Sequence, residues 1–134
     1  MKVNIVFPVL DEERRLEKGI RTTEAFLAKR RDIDAVITIV DNGSTDRTPD
    51  IIKELADVYS NIEYITLGER GFGLAFREAA KRNRCDIIGY VDVDLSTDIH
   101  YLSKVMKAFE KYDDISVIKG NRLSGKSKVN GRKP

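Results

Sequence analysis

The sequence predicts an α/β domain, a three-layer αβα arrangement of Rossmann-like type around a mostly parallel sheet. Three observations predict it. Short β-branched apolar runs recur along the chain, and between them lie longer segments with apolar residues at helical spacing. Each run ends in turn-forming and acidic residues, the pattern expected where strands reach the mouth of an open sheet. The third is size: 134 residues with 41% hydrophobic and 34% charged side chains supply one core and one wetted surface, and little room for a second domain.

Val3 to Phe7 is an apolar run closed by Pro8, which suits a buried strand. Glu12 to about Arg30 places Leu16, Ile20, Thr23, Ala25, Phe26 and Leu27 on one broad helical face. Asp34 to Val40 is β-branched and reads as a central strand. Thr48-Pro49 opens a helix running to about Tyr59, with proline at a tolerated first-turn position. Asn61 to Leu67 alternates as a strand. Gly71 to about Asn83 is helical, with Leu74, Ala75 and Ala79 as its apolar stripe. Asp86 to Val91 is again a buried strand, and Ile99 to about Lys111 sets Leu102, Val105, Met106 and Phe109 at helical spacing. Ile115 to Ile118 is expected as the last strand. Strands separated by helices of this length imply right-handed crossovers and a sheet covered on both faces.

Residues 1–120 are therefore expected to form the domain, and 121–134 a basic, flexible tail. From Lys119 onward the chain has six Lys or Arg and no Asp or Glu, whereas residues 1–118 are net acidic by four. An acidic body with a basic end is not the footprint of a general nucleic-acid binder. The tail suits a solvated end or a segment that meets phosphate. No apolar run approaches the ~20 residues of a membrane helix, and the N-terminus lacks the pattern of a signal peptide. Cys85 is the only cysteine, which excludes an internal disulfide and a Cys-rich zinc site. A cytoplasmic protein, or one peripheral at a membrane surface, is expected; oligomeric state is not indicated.

Candidate chemistry lies just beyond the strands. Asp92 and Asp94, two apart after the fourth run, would share one side of an extended segment. Two such carboxylates repel unless a cation lies between them, and magnesium or manganese would also borrow phosphate oxygens. An acidic loop that caps the next helix is the plainer reading. Asp41 follows Val40 directly, where a carboxylate could accept from a nucleobase edge, although Asp41-Asn42-Gly43-Ser44 is also strong turn chemistry. Thr45 and Asp46 suit helix caps better than ligands. Gly71 and Gly73 lead into a helix N-terminus beside Arg70, a setting that favours an anion, yet the dinucleotide fingerprint fails because Phe76 holds its third glycine position. Gly120, Gly125, Lys126 and Ser127 fit a phosphate-loop pattern, but too little chain follows to build its helix. His100 suits a surface position at a helix start.

Taken together, these elements resemble the inverting glycosyltransferases of family 2, which use nucleotide-sugar donors and the GT-A fold. Pro8-Val9-Leu10-Asp11-Glu12 is similar to that family's Pro-x-x-Asn-Glu, with Asp11 for Asn. Asp41-Asn42-Gly43-Ser44-Thr45-Asp46-Arg47-Thr48 is similar to its Asp-Asp-Gly-Ser-Thr-Asp-x-Thr, with Asn42 for the second Asp. Asp92-Val93-Asp94 resembles its metal-binding Asp-x-Asp. Gly71-Phe72-Gly73-Leu74-Ala75-Phe76 and Gly120-Asn121-Arg122 resemble elements of the polyprenyl-phosphate sugar transferases, the dolichol-phosphate mannose or glucose synthase group.

The resemblance implies transfer of a hexose from a GDP- or UDP-linked sugar, with inversion, to an acceptor such as a polyprenyl phosphate. It implies that Pro8, Glu12 and Asp41 line the base and ribose pocket, with Leu10, Arg70, Gly71 and Val93 also contacting substrate. Asp92, Asp94 and Ser96 would address the divalent cation and diphosphate, and Arg122 would face a phosphate. The chain stops at Pro134, just after the donor half would be complete, so a truncated chain or a non-catalytic nucleotide-sugar binding module is the first alternative. A sugar-phosphate nucleotidyltransferase is the second, but its glycine-rich basic loop is replaced by Pro8-Val9-Leu10-Asp11-Glu12. A signalling receiver domain fits less well, because Leu67-Gly68 stands where its phosphorylated Asp should end the third strand.

Overall fold

The β-branched runs become one parallel sheet. β1 (Lys2–Val9) lies between β2 (Asp34–Asp41) and β4 (Ile87–Tyr90), and β3 (Ile62–Thr66) flanks β2, giving the order β3-β2-β1-β4. The computed structural model describes residues 2–68, 72–94, 99–111, 118–121 and 128–131. It divides into two units, Met1–Ser96 and Thr97–Pro134.

β1 is central, so both of its faces are covered, and Val3 through Val9 are buried without a break. Register pairs Val6 with Thr38 and Tyr90, and Val40 with Pro8 and Ile65. Val6, Val40 and Ile65 therefore share a face, where they pack with Ala75 and Ala79 of α3 (Phe72–Arg82). The opposite face, carrying Ile5, Phe7, Ile37 and Ile39, belongs to α1 (Leu16–Ala28) and α2 (Thr48–Val58), which pack on each other. Right-handed crossovers account for this division: the chain winds outward from β1 to β3, then returns across the sheet to β4, so its helix changes face. Burying a side chain such as Phe7 contributes about 1.5–3 kcal/mol.

The sheet also buries a polar residue with its partners supplied. Asn4 is 4% exposed; its Oδ1 accepts from the Thr38 hydroxyl at 2.7 Å, and its Nδ2 donates to Asn83 Oδ1 at 3.2 Å. Asn83 also exchanges hydrogen bonds with the Cys85 backbone. This network joins β1 and β2 to the connection between α3 and β4, and removes the penalty of a buried amide.

α1 begins at Leu16 rather than Glu12, because residues 13–15 form a turn closed by the Arg15 and Leu16 N–H groups, which both donate to the Glu12 carbonyl. Its buried stripe is Leu16, Gly19, Ile20, Thr23 and Phe26; Ala25, expected on that face, lies outside the stripe and is exposed. α2 starts as expected, with Pro49 in its first turn and the Asp46 carboxylate accepting from the Thr48 N–H at 2.8 Å.

The second unit holds α4 (Tyr101–Lys111) and an antiparallel pair, β5 (Ile118–Asn121) with β6 (Lys128–Gly131). The last strand therefore departs from expectation. It begins where the predicted run ends, and it pairs with a segment assigned by sequence to the flexible tail. Antiparallel pairing rests on backbone N–H and C=O groups, which a run of basic side chains leaves available. No helix among the described residues is long and apolar enough to cross a membrane.

Candidate functional site

The order β3-β2-β1-β4 reverses direction between β1 and β4, and the carboxyl ends of those strands open a crevice there. The backbone continues the ladder past the strand ends. Asn42 N–H donates to the Val9 carbonyl, Leu67 N–H to the Asp41 carbonyl and Val91 N–H to the Val6 carbonyl, each at 2.9 Å. Four predicted residues, Pro8, Leu10, Glu12 and Asp41, gather at the ends of β1 and β2. Asp92, Val93 and Asp94 follow β4, beside β1. Arg70, Gly71, Ser96 and Arg122 lie outside the described residues.

The loops after β1 and β2 are stitched together reciprocally. Asp11 Oδ1 accepts from the Thr45 N–H at 2.8 Å and the Asp46 N–H at 3.4 Å, while the Asp11 N–H donates to Ser44 Oγ at 2.9 Å. Glu12 N–H donates to Thr48 Oγ1 at 2.9 Å, Glu13 N–H to Asp46 Oδ2 at 3.2 Å, and Arg47 N–H to Glu13 Oε2 at 3.2 Å. Asp11 adopts φ +50, a conformation that Asp and Asn tolerate better than other side chains with a Cβ.

Burial alone would raise the Asp46 carboxyl, but hydrogen bonds from the Thr48 side chain and the Thr48 and Glu13 N–H groups outweigh it and hold the group below its ordinary 3.8. A carboxyl lowered in the folded state stabilises fully above its unfolded value and loses that contribution as pH falls through the folded one. Asp46→Ala is therefore expected to lower Tm at pH 6, with the gap to wild type closing below about pH 4. Thermal melts across that range check it.

Two acceptor atoms at the mouth stand out. Asn42 is 3% exposed, and its Oδ1 has no hydrogen-bond partner among the described residues. Glu12 Oε2 is equally shielded from water. It lies 3.0 Å from Arg15 Nε as an ion pair but outside hydrogen-bond geometry, while Arg15 donates to Oε1 at 3.2 Å. A buried acceptor without a donor costs about 1–3 kcal/mol; that cost falls on Asn42 Oδ1, whereas the Arg15 ion pair offsets it at Glu12 Oε2. Asp41, by contrast, is 2% exposed and its Oδ1 accepts from the Ser44 N–H at 2.9 Å, which is its turn-forming role. Strand parity could have identified Asn42. Asp41 shares a face with Ile37 and Ile39, whereas the next residue turns the other way.

Asp92 and Asp94 are both exposed, with buried Val93 between them. The expectation of an extended segment is corrected: β4 ends at Tyr90, and the chain turns at Val93–Asp94. Tyr90 lies close enough to sense Asp92; burial pushes its phenol above 10.0 and the Asp92 charge adds to the rise. Among the described residues, no group of three or more His, Cys, Asp and Glu forms an all-protein metal cage. Magnesium and manganese do not need one when nucleotide is present, since one or two carboxylates complete their shell with phosphate oxygens and water. The donor set fits such an ion.

Comparison with known proteins places this geometry in context. Residues 4–134 match the profile of glycosyl transferase family 2. The chain is 31% identical over 137 residues to a dolichyl-phosphate beta-glucosyltransferase, ALG5D, of Trichomonas vaginalis, covering 95% of this chain and 42% of that protein. It is 30% identical over 123 residues to an undecaprenyl-phosphate 4-deoxy-4-formamido-L-arabinose transferase of Pseudomonas fluorescens, covering 90% and 36%. The chain thus spans well under half the length of these relatives. Among solved structures, residues 1–349 of S. aureus TarS superpose with a TM-score of 0.70 at 22% identity, covering 96% of this chain and 38% of that one. The mannosyltransferase PcManGT of Pyrobaculum calidifontis, solved with GDP-Man and Mn2+, gives 0.61 at 23% identity, covering 69% and 27%. Those likenesses are of fold, the GT-A type; the family assignment rests on the match along nearly the whole sequence. This chain belongs to glycosyl transferase family 2.

Proposed function

We propose that this domain binds a nucleotide-diphosphate sugar across the β1–β4 crevice and presents it for transfer of the sugar to a polyprenyl phosphate, with inversion. The observation that carries the donor half is the buried Asn42 Oδ1, which no protein donor among the described residues reaches. A nucleoside supplies what it lacks, an N–H on the base edge. Asp41 supports that edge by fixing the turn that carries Asn42.

The diphosphate then extends toward Asp92 and Asp94. Asp92 and Asp94, with Ser96 near them in sequence, would hold a divalent cation, which would supply positive charge to offset the negative charge that grows on the leaving diphosphate. The acceptor phosphate oxygen attacks the anomeric carbon from the face opposite the leaving nucleoside diphosphate. It is already ionised at neutral pH, so no strong general base is required of the protein. Arg70 and Arg122 offer guanidinium forks suited to phosphate oxygens of donor or acceptor. The names of the dolichyl- and undecaprenyl-phosphate relatives support this acceptor class, and such an acceptor would be met at the surface of a membrane. A GDP-Man and Mn2+ complex and a UDP-GlcNAc complex among fold neighbours support the donor class.

Calorimetry with GDP, UDP and their sugar conjugates, with and without Mn2+, tests the donor half. Tighter binding with metal is expected, and indifference to every nucleotide diphosphate overturns it. Asn42→Leu removes the acceptor at constant bulk and is expected to weaken metal-free nucleotide binding about tenfold, or ~1.4 kcal/mol. Transfer of labelled sugar to a polyprenyl phosphate tests the acceptor half.

A further inference from the structure

Gly19 lies in the middle of the buried stripe of α1, flanked by Leu16, Ile20 and Thr23. A glycine inside a helix costs about 0.8–1.0 kcal/mol relative to alanine, so its presence in a well-packed helix calls for a reason. The reason is on the opposing chain. A Cβ at position 19 would overlap the Val93 carbonyl oxygen, and would also lie 2.9 Å from Val93 Cγ2 and 3.2 Å from the Val93 carbonyl carbon. The main obstacle is backbone, which cannot swing aside as a flexible side chain would. Gly43, Gly68 and Gly89 meet nothing closer than 3.8 Å. Thr23, wholly buried, donates its hydroxyl to the Gly19 carbonyl at 2.9 Å and fixes this stretch of helix from behind.

Val93 is the residue between Asp92 and Asp94. It is 4% exposed while both acids are exposed. The turn after β4 is thus seated on α1 through the Val93 peptide, and the two exposed acids flank that seat in the chain. We infer that Gly19 is a positioning residue: it admits the Val93 peptide against α1 and thereby sets where Asp92 and Asp94 are presented to a divalent cation. This rests on the proposed role of those two acids.

Gly19→Ala separates the alternatives, because helix propensity alone would make it neutral or stabilising. The expected result is a change in the backbone amide resonances of Val91 to Asp94, together with an affinity for Mn2+ in the presence of GDP or UDP at least about tenfold weaker by electron paramagnetic resonance titration. Metal-free nucleotide affinity is expected to stay within about twofold of wild type, which general destabilisation would not produce. If Gly19→Ala does not fold, wild-type protein takes its place: Mg2+ added with GDP or UDP is expected to shift the Gly19 amide resonance together with those of Asp92 to Asp94, and an unmoved Gly19 amide overturns the inference. Wild-type protein that takes up no Mn2+ with either nucleotide overturns the cation reading itself. Mn2+ uptake lost in Asp94→Ala but unchanged in Gly19→Ala, with unshifted amides, leaves that reading standing and overturns the inference about Gly19.

Discussion

Asp94→Ala is expected to reduce nucleotide-sugar binding in Mn2+ to the level measured without metal, and to lower transfer of sugar to a polyprenyl phosphate by at least about a hundredfold. The magnitude follows from where the charge is needed. Breaking the bond between the anomeric carbon and the diphosphate leaves negative charge on the bridging oxygen, which a cation held by Asp94 would offset. Asp92 remains in the variant, but a single exposed carboxylate competes poorly with water for a hard ion. Asp94→Asn keeps shape and one oxygen ligand while removing charge, so an intermediate loss is expected. Stability is expected to change by less than about 1 kcal/mol, since Asp94 is exposed. Calorimetry, a transfer assay and a thermal melt on each variant check the three statements.

The largest expected effect on stability outside the hydrophobic core is at Asp11. Asp11→Ala removes the acceptor for two backbone N–H groups of the neighbouring loop and places a less tolerant residue at φ +50. Water can reach the freed N–H groups, which limits the loss, so about 1–2 kcal/mol is expected, or a fall in Tm of several degrees. Asp11→Gly relieves the backbone strain but not the lost acceptor, and should fall between. Asp11→Asn keeps an Oδ1 acceptor and tolerates the conformation, so it should be near neutral. The order Asn, Gly, Ala also predicts function: the loop that Asp11 holds carries Glu12 on one side and leads from Asn42 on the other, so nucleotide affinity should decline in the same order. Equal melting temperatures across the series would contradict this account of the loop.

Much of the fold could be read from the sequence because the signals were strong and local. β1 to β4 were visible as β-branched runs, and Pro49 and Asp46 marked the start of α2. The end of the chain was less legible. Strand β6 lies within a basic run with little apolar periodicity, and its pairing with β5 is specified by backbone groups that composition does not show. At the candidate site, Glu12, Asp92 and Asp94 stood out because they are acids just beyond strands, at the mouth of the sheet. Asp41 drew attention for the same reason; its Oδ1 accepts from the Ser44 N–H, and the neighbouring Asn42 holds a buried oxygen with no protein donor among the described residues. Which of two adjacent polar residues faces the crevice depends on strand parity at the last residue, where a shift of one position reverses the answer. Gly19 was legible only as a weak point in a helix; its meaning required knowing that the Val93 peptide lies against it.

Anomalous diffraction from a crystal grown with Mn2+ and a nucleotide diphosphate tests the central claim most directly. The predicted result is a manganese peak within about 2.5 Å of an Asp94 oxygen, bridged to the diphosphate, with Asp92 beside it. The base should lie within hydrogen-bonding distance of Asn42 Oδ1. A nucleotide bound in the crevice with no manganese at these carboxylates, or with the ion held elsewhere, would contradict the account.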